Sequence, residues 1–231
     1  MRVVVLQSNY IPWKGYFDLI NDADVFCFYD EVQYTKNDWR NRNKIYSKNG
    51  LQWLTIPIPA DAVKLKISEV ALPPAKWMSD HYKAMALSYG RAPYFAQLKE
   101  VMDDIYFKTE FKTLSEFNHY TTQKIASYIG INTKFDNSAN YTLKNDKLER
   151  LISLLVDLKA TEYISGPAAK DYLAGHEQLF NDKGIKLIYK TYSGYKPYKQ
   201  LTEPFEPAVS ILDLIANIEK SEIGNHIWNK V

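Results

Sequence analysis

The stretch Arg2-Val3-Val4-Val5-Leu6-Gln7-Ser8-Asn9-Tyr10-Ile11-Pro12-Trp13-Lys14-Gly15-Tyr16-Phe17-Asp18-Leu19-Ile20-Asn21-Asp22-Ala23-Asp24-Val25-Phe26-Cys27-Phe28-Tyr29-Asp30 decides the fold. Its start is short, rich in β-branched residues and followed by polar ones, which is the pattern of a buried strand. Pro12 and Gly15 mark a loop, and a short helix is expected from about Gly15 to Asn21. Asp24 to Asp30 reads as a second buried strand. Strand, short helix and strand in such close succession predict a right-handed βαβ unit and a parallel sheet. Ligands of such sheets bind beyond the carboxyl ends of the strands. Segments 7–16 and 30–43 are therefore expected side by side at one rim.

Farther along, Lys44 to Ser47 and Leu51 to Ile56 flank Lys48-Asn49-Gly50, a hairpin signal. Pro57 and Pro59 end that strand, and Val63 to Val70 is expected as another edge strand. Residues 76–90, 95–107 and 113–129 carry helical spacing, with Gly90 and Gly130 where C-caps belong. This helical insertion, about 74–130, is expected to cover the sheet. A third βα region follows. It comprises a short strand at Lys134-Phe135, a helix from Asn145 to Leu158, a strand at Tyr163-Ile164 and a helix starting near Pro167. Ile185 to Tyr192 is the last expected strand and Ser210 to Glu219 the last helix. The expected class is α/β: one domain over residues 1–231, with a Rossmann-like parallel sheet and flanking helices.

A chain of 231 residues can bury a large core without metal or disulfide staples. With 29 basic and 27 acidic residues, it has no global field that argues for nucleic acid or an anionic membrane. Cys27 is the single cysteine, set in an apolar run, so it reads as a small buried hydrophobe in a chain made for a reducing compartment. The amino terminus has no signal-peptide pattern, and no apolar run approaches the roughly 18–20 residues of a membrane span. A cytoplasmic protein without membrane insertion is expected. Nothing in the sequence sets an oligomeric state. The 18 Tyr, 10 Phe and 5 Trp exceed ordinary usage, and such rings serve both cores and ligand pockets.

Three segments carry candidate chemistry. In the first, Asn9, Tyr10, Trp13, Lys14 and Tyr16 crowd around Pro12 and Gly15. A helix starting at Gly15 would aim free N–H groups at an anion, and a residue without Cβ allows close approach. The second runs from Asp30 to Asn43. Arg40 and Arg42 offer forked donors for phosphate or carboxylate, Tyr34 and Trp39 offer stacking faces, and Gln33 and Asn43 offer amides. The third is Ile164-Ser165-Gly166-Pro167-Ala168-Ala169-Lys170, a strand end, a small-residue turn and a helix start with a lysine one turn in. Of the four histidines, His81 is the best candidate acid or base, with Asp30 as the alternative, and His119 reads as structural. No pair of histidines, or histidine and cysteine, has metal-ligand spacing. No nucleophile elbow, Walker loop or Gly-x-Gly-x-x-Gly is present.

The run from Gln7 to Phe17 resembles the opening motif of the WbqC-like family. So do Asp30 to Tyr34, Trp39-Arg40-Asn41-Arg42-Asn43, Trp53 to Pro57, Ser165-Gly166-Pro167-Ala168, Phe205-Glu206-Pro207 and Ser210 to Leu214. The likeness spans nearly the whole chain. Ser8 departs from it, since the family commonly has Pro there. Members of that family are known from bacterial gene clusters for O-antigen and related surface polysaccharides, so the resemblance implies a role in making or modifying sugars. The strand, Pro-x-x-Gly and helix opening is also similar to the HIGH-signature nucleotidyltransferases, in which two histidines and a late Ile-Ser-Ser-Thr-like turn hold ATP phosphates. Here Trp13 and Tyr16 stand in the histidine positions, and Ile164-Ser165-Gly166-Pro167 in that of the turn.

These readings imply a transferase acting on a nucleotide-linked or amino sugar, with acyl or aminoacyl transfer as one version. ATP or another nucleotide, with Mg²⁺, is the cofactor such chemistry would use. Arg40, Arg42 and the helix start would bind phosphate, Trp13, Tyr34 or Trp39 would stack on a ring, and His81 or Asp30 would move the proton. The alternative is a non-catalytic module that binds a nucleotide sugar or glycan.

Overall fold

The computed structural model describes residues 1–107 and 110–228. The chain opens with β1 (Arg2–Leu6), α1 (Lys14–Asn21) and β2 (Val25–Phe28). An antiparallel hairpin follows, β3 (Arg42–Ser47) and β4 (Gly50–Thr55). Three helices come next, α2 (Lys76–Tyr89), α3 (Phe95–Phe107) and α4 (Leu114–Tyr128). The second half alternates β5 (Lys134–Asn137), α5 (Lys147–Asp157), β6 (Glu162–Ser165), the short helices α6 (Lys170–Leu173) and α7 (Glu177–Asn181), and β7 (Lys186–Tyr189). The last helix is α8 (Ile211–Asn217).

Five strands form one parallel sheet in the order β5-β2-β1-β6-β7, and the hairpin forms a separate sheet. The chain starts in the middle of the large sheet, builds outward to β5, then returns to build the other half. That reversal places the topological switch between β1 and β6, where a doubly wound sheet opens its ligand crevice. β1 and β6 pair in register at Arg2 with Glu162 and Val3 with Tyr163. The expected α/β class with a Rossmann-like parallel sheet and a hairpin is what the chain adopts.

Side chains alternate along each strand, so the sheet feeds two cores. Val3, Val5, Val25, Cys27 and Tyr163 pack beneath α5 and the short helices after β6. Val4, Phe26, Phe28 and Ile164 face a larger aromatic core shared with α1, α2, α3, α4 and α8. Cys27 is fully buried in the first of these cores, and burial pushes its thiol up to about 12, consistent with a packing role.

Two departures from the sequence reading matter for the site. Val63 to Val70 is not an edge strand. It forms 3-10 turns at Ala60–Lys64 and Ile67–Glu69, joined to the Gln33 loop by one isolated bridge to Lys66. Its apolar residues alternate too loosely for a ladder and instead drop Ile67 and Val70 into the core. The strand expected to run to Tyr192 stops at Tyr189. Residues 190–210 then cross the molecule as a strap without helix or strand. Such a long irregular connection is uncommon unless it has a specific role.

Candidate functional site

The loop leaving β1 is held by the segment leading into β3. Tyr10 donates its N–H to the Trp39 carbonyl at 2.9 Å, and the Asn43 amide donates to the carbonyls of Ile11 at 2.7 Å and Tyr10 at 3.2 Å. Arg40 lies against this loop. Its guanidinium donates to the side-chain oxygens of Asn9 and, at 2.6 Å, Gln7, with Asp38 3.6 Å away. Arg40 Nε is buried and has no hydrogen-bond partner, so this cation keeps one donor unspent. Because Asn9 accepts from a cation through its oxygen, its –NH₂ is polarised as a donor.

Asn9 also lines a cavity of about 300 Å³ with Pro12, Trp13, Trp39, Asn43 and Ala208. Two indoles and a proline give it stacking walls, and the amides give it polar points, the make-up of a small-ligand site. Its volume is at the low end for such sites, enough for one ring-sized unit.

Behind the loop lies a second polar cluster. Asp30 is buried at the carboxyl end of β2 and accepts from the Ser8 N–H at 2.8 Å, Ser115 Oγ at 2.6 Å and His119 Nε2 at 2.8 Å. Burial pushes the Asp30 carboxyl up, but the hydrogen bonds and charge of His119, with those of Ser115 and Ser8, outweigh it and hold the group below the ordinary carboxylate range. His119 stacks on Phe28 with ring centroids 3.8 Å apart. Its Nδ1 has no hydrogen-bond partner among the described residues. Next to it on α4, Asn118 donates to Ser8 Oγ at 3.3 Å and to the Arg40 carbonyl at 2.9 Å. Two consecutive residues of α4 thus touch the Arg40 backbone and Asp30.

The candidate residues read from sequence divide into three groups. Asn9, Trp13, Trp39 and Asn43 line one cavity, with Arg40 behind Asn9. Arg42 stands beside it, its guanidinium 4.3 Å over the Trp53 ring. Tyr10, Tyr16, Tyr34 and His81 are buried and used internally. Tyr10 shares its hydroxyl with His81 Nδ1 at 2.7 Å and Tyr106. Tyr16 donates to the Gln7 carbonyl at 3.0 Å. Burial carries Tyr34 up to about 12 and drives His81 down to about 4, so His81 is neutral at pH 7 inside an aromatic core. Gln33 donates to the Val63 carbonyl at 2.8 Å, away from the cavity lining.

The switch-point crevice is filled by the chain's own rings. A Cβ on Gly15 would lie 2.3 Å from Trp13 Cζ2, so the indole occupies the space offered to an anion at the start of α1. A Cβ on Gly166 would meet the Tyr192 hydroxyl at 3.3 Å, and Tyr192 packs edge-on against Trp13 at 5.1 Å. The strap therefore stands between the 164–170 segment and the loop after β1. Ser165 accepts from Tyr163, and Lys170 is exposed over the Tyr189 ring. Lys14 is 3% exposed, has no hydrogen-bond partner and sits under Tyr195, Tyr198 and Phe205 of the strap. Burial lowers its amine to about 8, partly offset by Asp18 and Asp213.

Sequence reasoning missed His119 and the strap. Ser115 and His119 recur four residues apart on one face of α4, a pair of polar groups able to reach one partner. That spacing was the available signal. Their partner, Asp30, lies 89 residues from His119. Among the described residues no group of three or more His, Cys, Asp or Glu side chains is placed to hold a metal. No described helix is long and apolar enough to cross a membrane.

Residues 7–224 match the WbqC-like protein family. The chain belongs to that family. A relative of this WbqC-like chain, the uncharacterized protein Rv1507c of Mycobacterium tuberculosis (strain ATCC 25618 / H37Rv), is 44% identical over 218 residues, 94% of each chain. No solved structure matches the present chain. The matched span includes the loop after β1, the Arg40 segment, α4 and the strap. No comparison ties the WbqC-like chain to the HIGH-signature nucleotidyltransferases.

Proposed function

We propose that this WbqC-like protein is a transferase of surface-polysaccharide biosynthesis that acts on a nucleotide-linked or amino sugar. The observation that supports this most is the Asp30–His119 pair, next in sequence to Asn118, which holds the Arg40 backbone, with the second ring nitrogen of His119 bonded to none of the described residues. A carboxylate that fixes one imidazole nitrogen orients the ring and stabilises the imidazolium that forms when the other nitrogen takes a proton. Asn9 and the unspent Arg40 donor suit a phosphate or carboxylate, and Trp13 and Trp39 suit a ring.

In the acyl-transfer version, the amine of an amino sugar attacks an activated acyl carbon. A C–N bond forms, the bond to the leaving group breaks, His119 takes the amine proton, and the departing group receives it. A nucleotide with Mg²⁺ would supply activation. The buried side chain of His81 takes no part in this scheme and supports Tyr10 instead.

Nucleotides and nucleotide sugars are screened by thermal shift, then turnover is measured with amino-sugar acceptors. A bound ligand at one hundred times its Kd adds about 2.7 kcal/mol of stability. Arg40→Ala is expected to remove that shift. His119→Gln is expected to keep it while lowering turnover about 10²- to 10⁴-fold. No shift with any of these ligands overturns the proposal. Binding without turnover on any acceptor replaces it with the non-catalytic binding module.

A further inference from the structure

We infer that the outer face of the β3–β4 hairpin is a second binding subsite, where Trp39 and Trp53 stack a ring of the ligand and Arg42 and Lys44 take its phosphate or carboxylate. This rests on the reading above, in that the Trp13–Trp39 cavity is taken to hold one unit of the same ligand. The hairpin register fixes the face. Arg42 pairs with Thr55, Lys44 with Trp53 and Tyr46 with Leu51, so these side chains share one side, on which Tyr46 is buried with its hydroxyl on the Pro204 carbonyl, while Ile45 and Leu54 are buried on the other. Trp53 faces outward and is 43% exposed, as is Trp39. Their rings pack together as a tilted shelf, centroids 5.7 Å apart at 35°. Arg42 and Lys44 hold their cations 4.3 and 5.1 Å from the Trp53 ring. Arg42 Nε is buried and lacks a partner, a cationic donor left for an acceptor.

Trp39 belongs to both places, since it lines the cavity and leads onto the shelf. The cavity, at about 300 Å³, takes one ring-sized unit, and a nucleotide-linked sugar is longer. The rest of such a ligand extends beyond the cavity, and Trp39, one of its walls, leads onto the shelf. Indoles stack on bases and on the flat faces of sugars, and arginine recognises phosphate and carboxylate through paired donors. The ligand class is thus a stackable ring bearing an anionic group, from either the nucleoside phosphate or the sugar phosphate part.

The test is calorimetric titration of the full chain with three probes: a nucleoside diphosphate, a sugar 1-phosphate, and the nucleoside diphosphate sugar that joins them. Wild type is compared with Trp53→Ala, Trp53→Phe, Lys44→Ala and Arg40→Ala. Trp53→Ala is expected to weaken the joined ligand fivefold or more. Trp53→Phe keeps a stacking face and is expected within threefold of wild type. One of the two fragments should lose affinity by the same factor, and that one occupies the shelf. Lys44→Ala should weaken the joined ligand, with a smaller effect at high salt, and it carries the test if Trp53→Ala misfolds. Unchanged binding of all three probes to Trp53→Ala and Lys44→Ala overturns the subsite, as does failure of wild type to bind any probe. If Trp53→Ala weakens binding while Arg40→Ala does not, the subsite stands and the Arg40 reading falls.

Discussion

Gly15 and Gly166 have no Cβ, and in both places the space goes to a ring of this chain rather than to a ligand. Trp13 lies on Gly15, and the Tyr192 hydroxyl reaches over Gly166. Trp13 is also a wall of the cavity, so the glycine beneath it sets the shape of the site. Gly15→Ala adds a methyl that must displace the indole. On helix propensity alone it would stabilise α1 by up to about 1 kcal/mol. The collision is expected to win, with a net loss of about 1–3 kcal/mol in urea unfolding, a shift in tryptophan fluorescence and weaker ligand binding. A stabilised variant with unchanged fluorescence would show that the indole does not rest there. The same scale explains why Tyr10, Tyr34 and His81 looked like site residues. Their composition suits a pocket, but tyrosine and histidine also serve aromatic cores when a polar tip finds a partner inside, as the Tyr10–His81–Tyr106 cluster does.

Among the elements, α4 carries the polar side of the site. Its amino terminus is fixed by a capping box: Thr113 Oγ1 accepts from the Glu116 N–H, and Glu116 accepts from the Thr113 N–H. Asn118 and His119 follow within two turns. Thr113→Ala is expected to cost about 1 kcal/mol. It should also lower turnover more than ligand affinity, because the Asp30–His119 geometry loosens while the Trp13–Trp39 cavity stays. Parallel titrations and rate measurements separate the two. The hairpin turn and the spacing of α2 to α4 were legible in the sequence. The strap was not. Residues 190–210 have no period to read, and their order comes from distant anchors: Lys190 on Asp18 and Asp22, Tyr195 on Asp18, and Tyr198 and Gln200 on Asp213.

At the scale of the whole molecule, Asp30 joins the sheet to the helical layer. It takes hydrogen bonds from the loop after β1 and from two positions on α4. Its pKa is lowered on folding, so its contribution is fully present above the unfolded value of about 3.9 and is lost as pH falls through the lower folded value. Asp213 has the opposite sign. Burial raises it against donors from Tyr198, Gln200, Tyr89 and Asn217, so its ionisation weakens the fold. Comparing wild type with Asp30→Asn cancels that background. The variant is expected to be less stable by about 3 kcal/mol at pH 7, with the gap closing below about pH 4. A gap that stays constant down to pH 2 would show that Asp30 gains nothing from its ionised form.

The sequence by itself determined the α/β class, the parallel strands and the rim at which β1 and β2 end. These follow from local pattern: β-branched runs, turn residues and helical spacing act within a few residues of chain. It also marked the loop after β1 and the Trp39–Asn43 segment, because glycine, proline, arginine and tryptophan are unusual company at a strand end. Only the tertiary structure decided which of those side chains line a cavity and which are core. It also brought His119 to Asp30 and laid the strap across the switch-point crevice. Those outcomes depend on contacts between residues far apart in the chain, and desolvation then separates residues of the same type. Trp39 is left half exposed on the cavity wall, while Tyr10 and His81 are buried in the aromatic core.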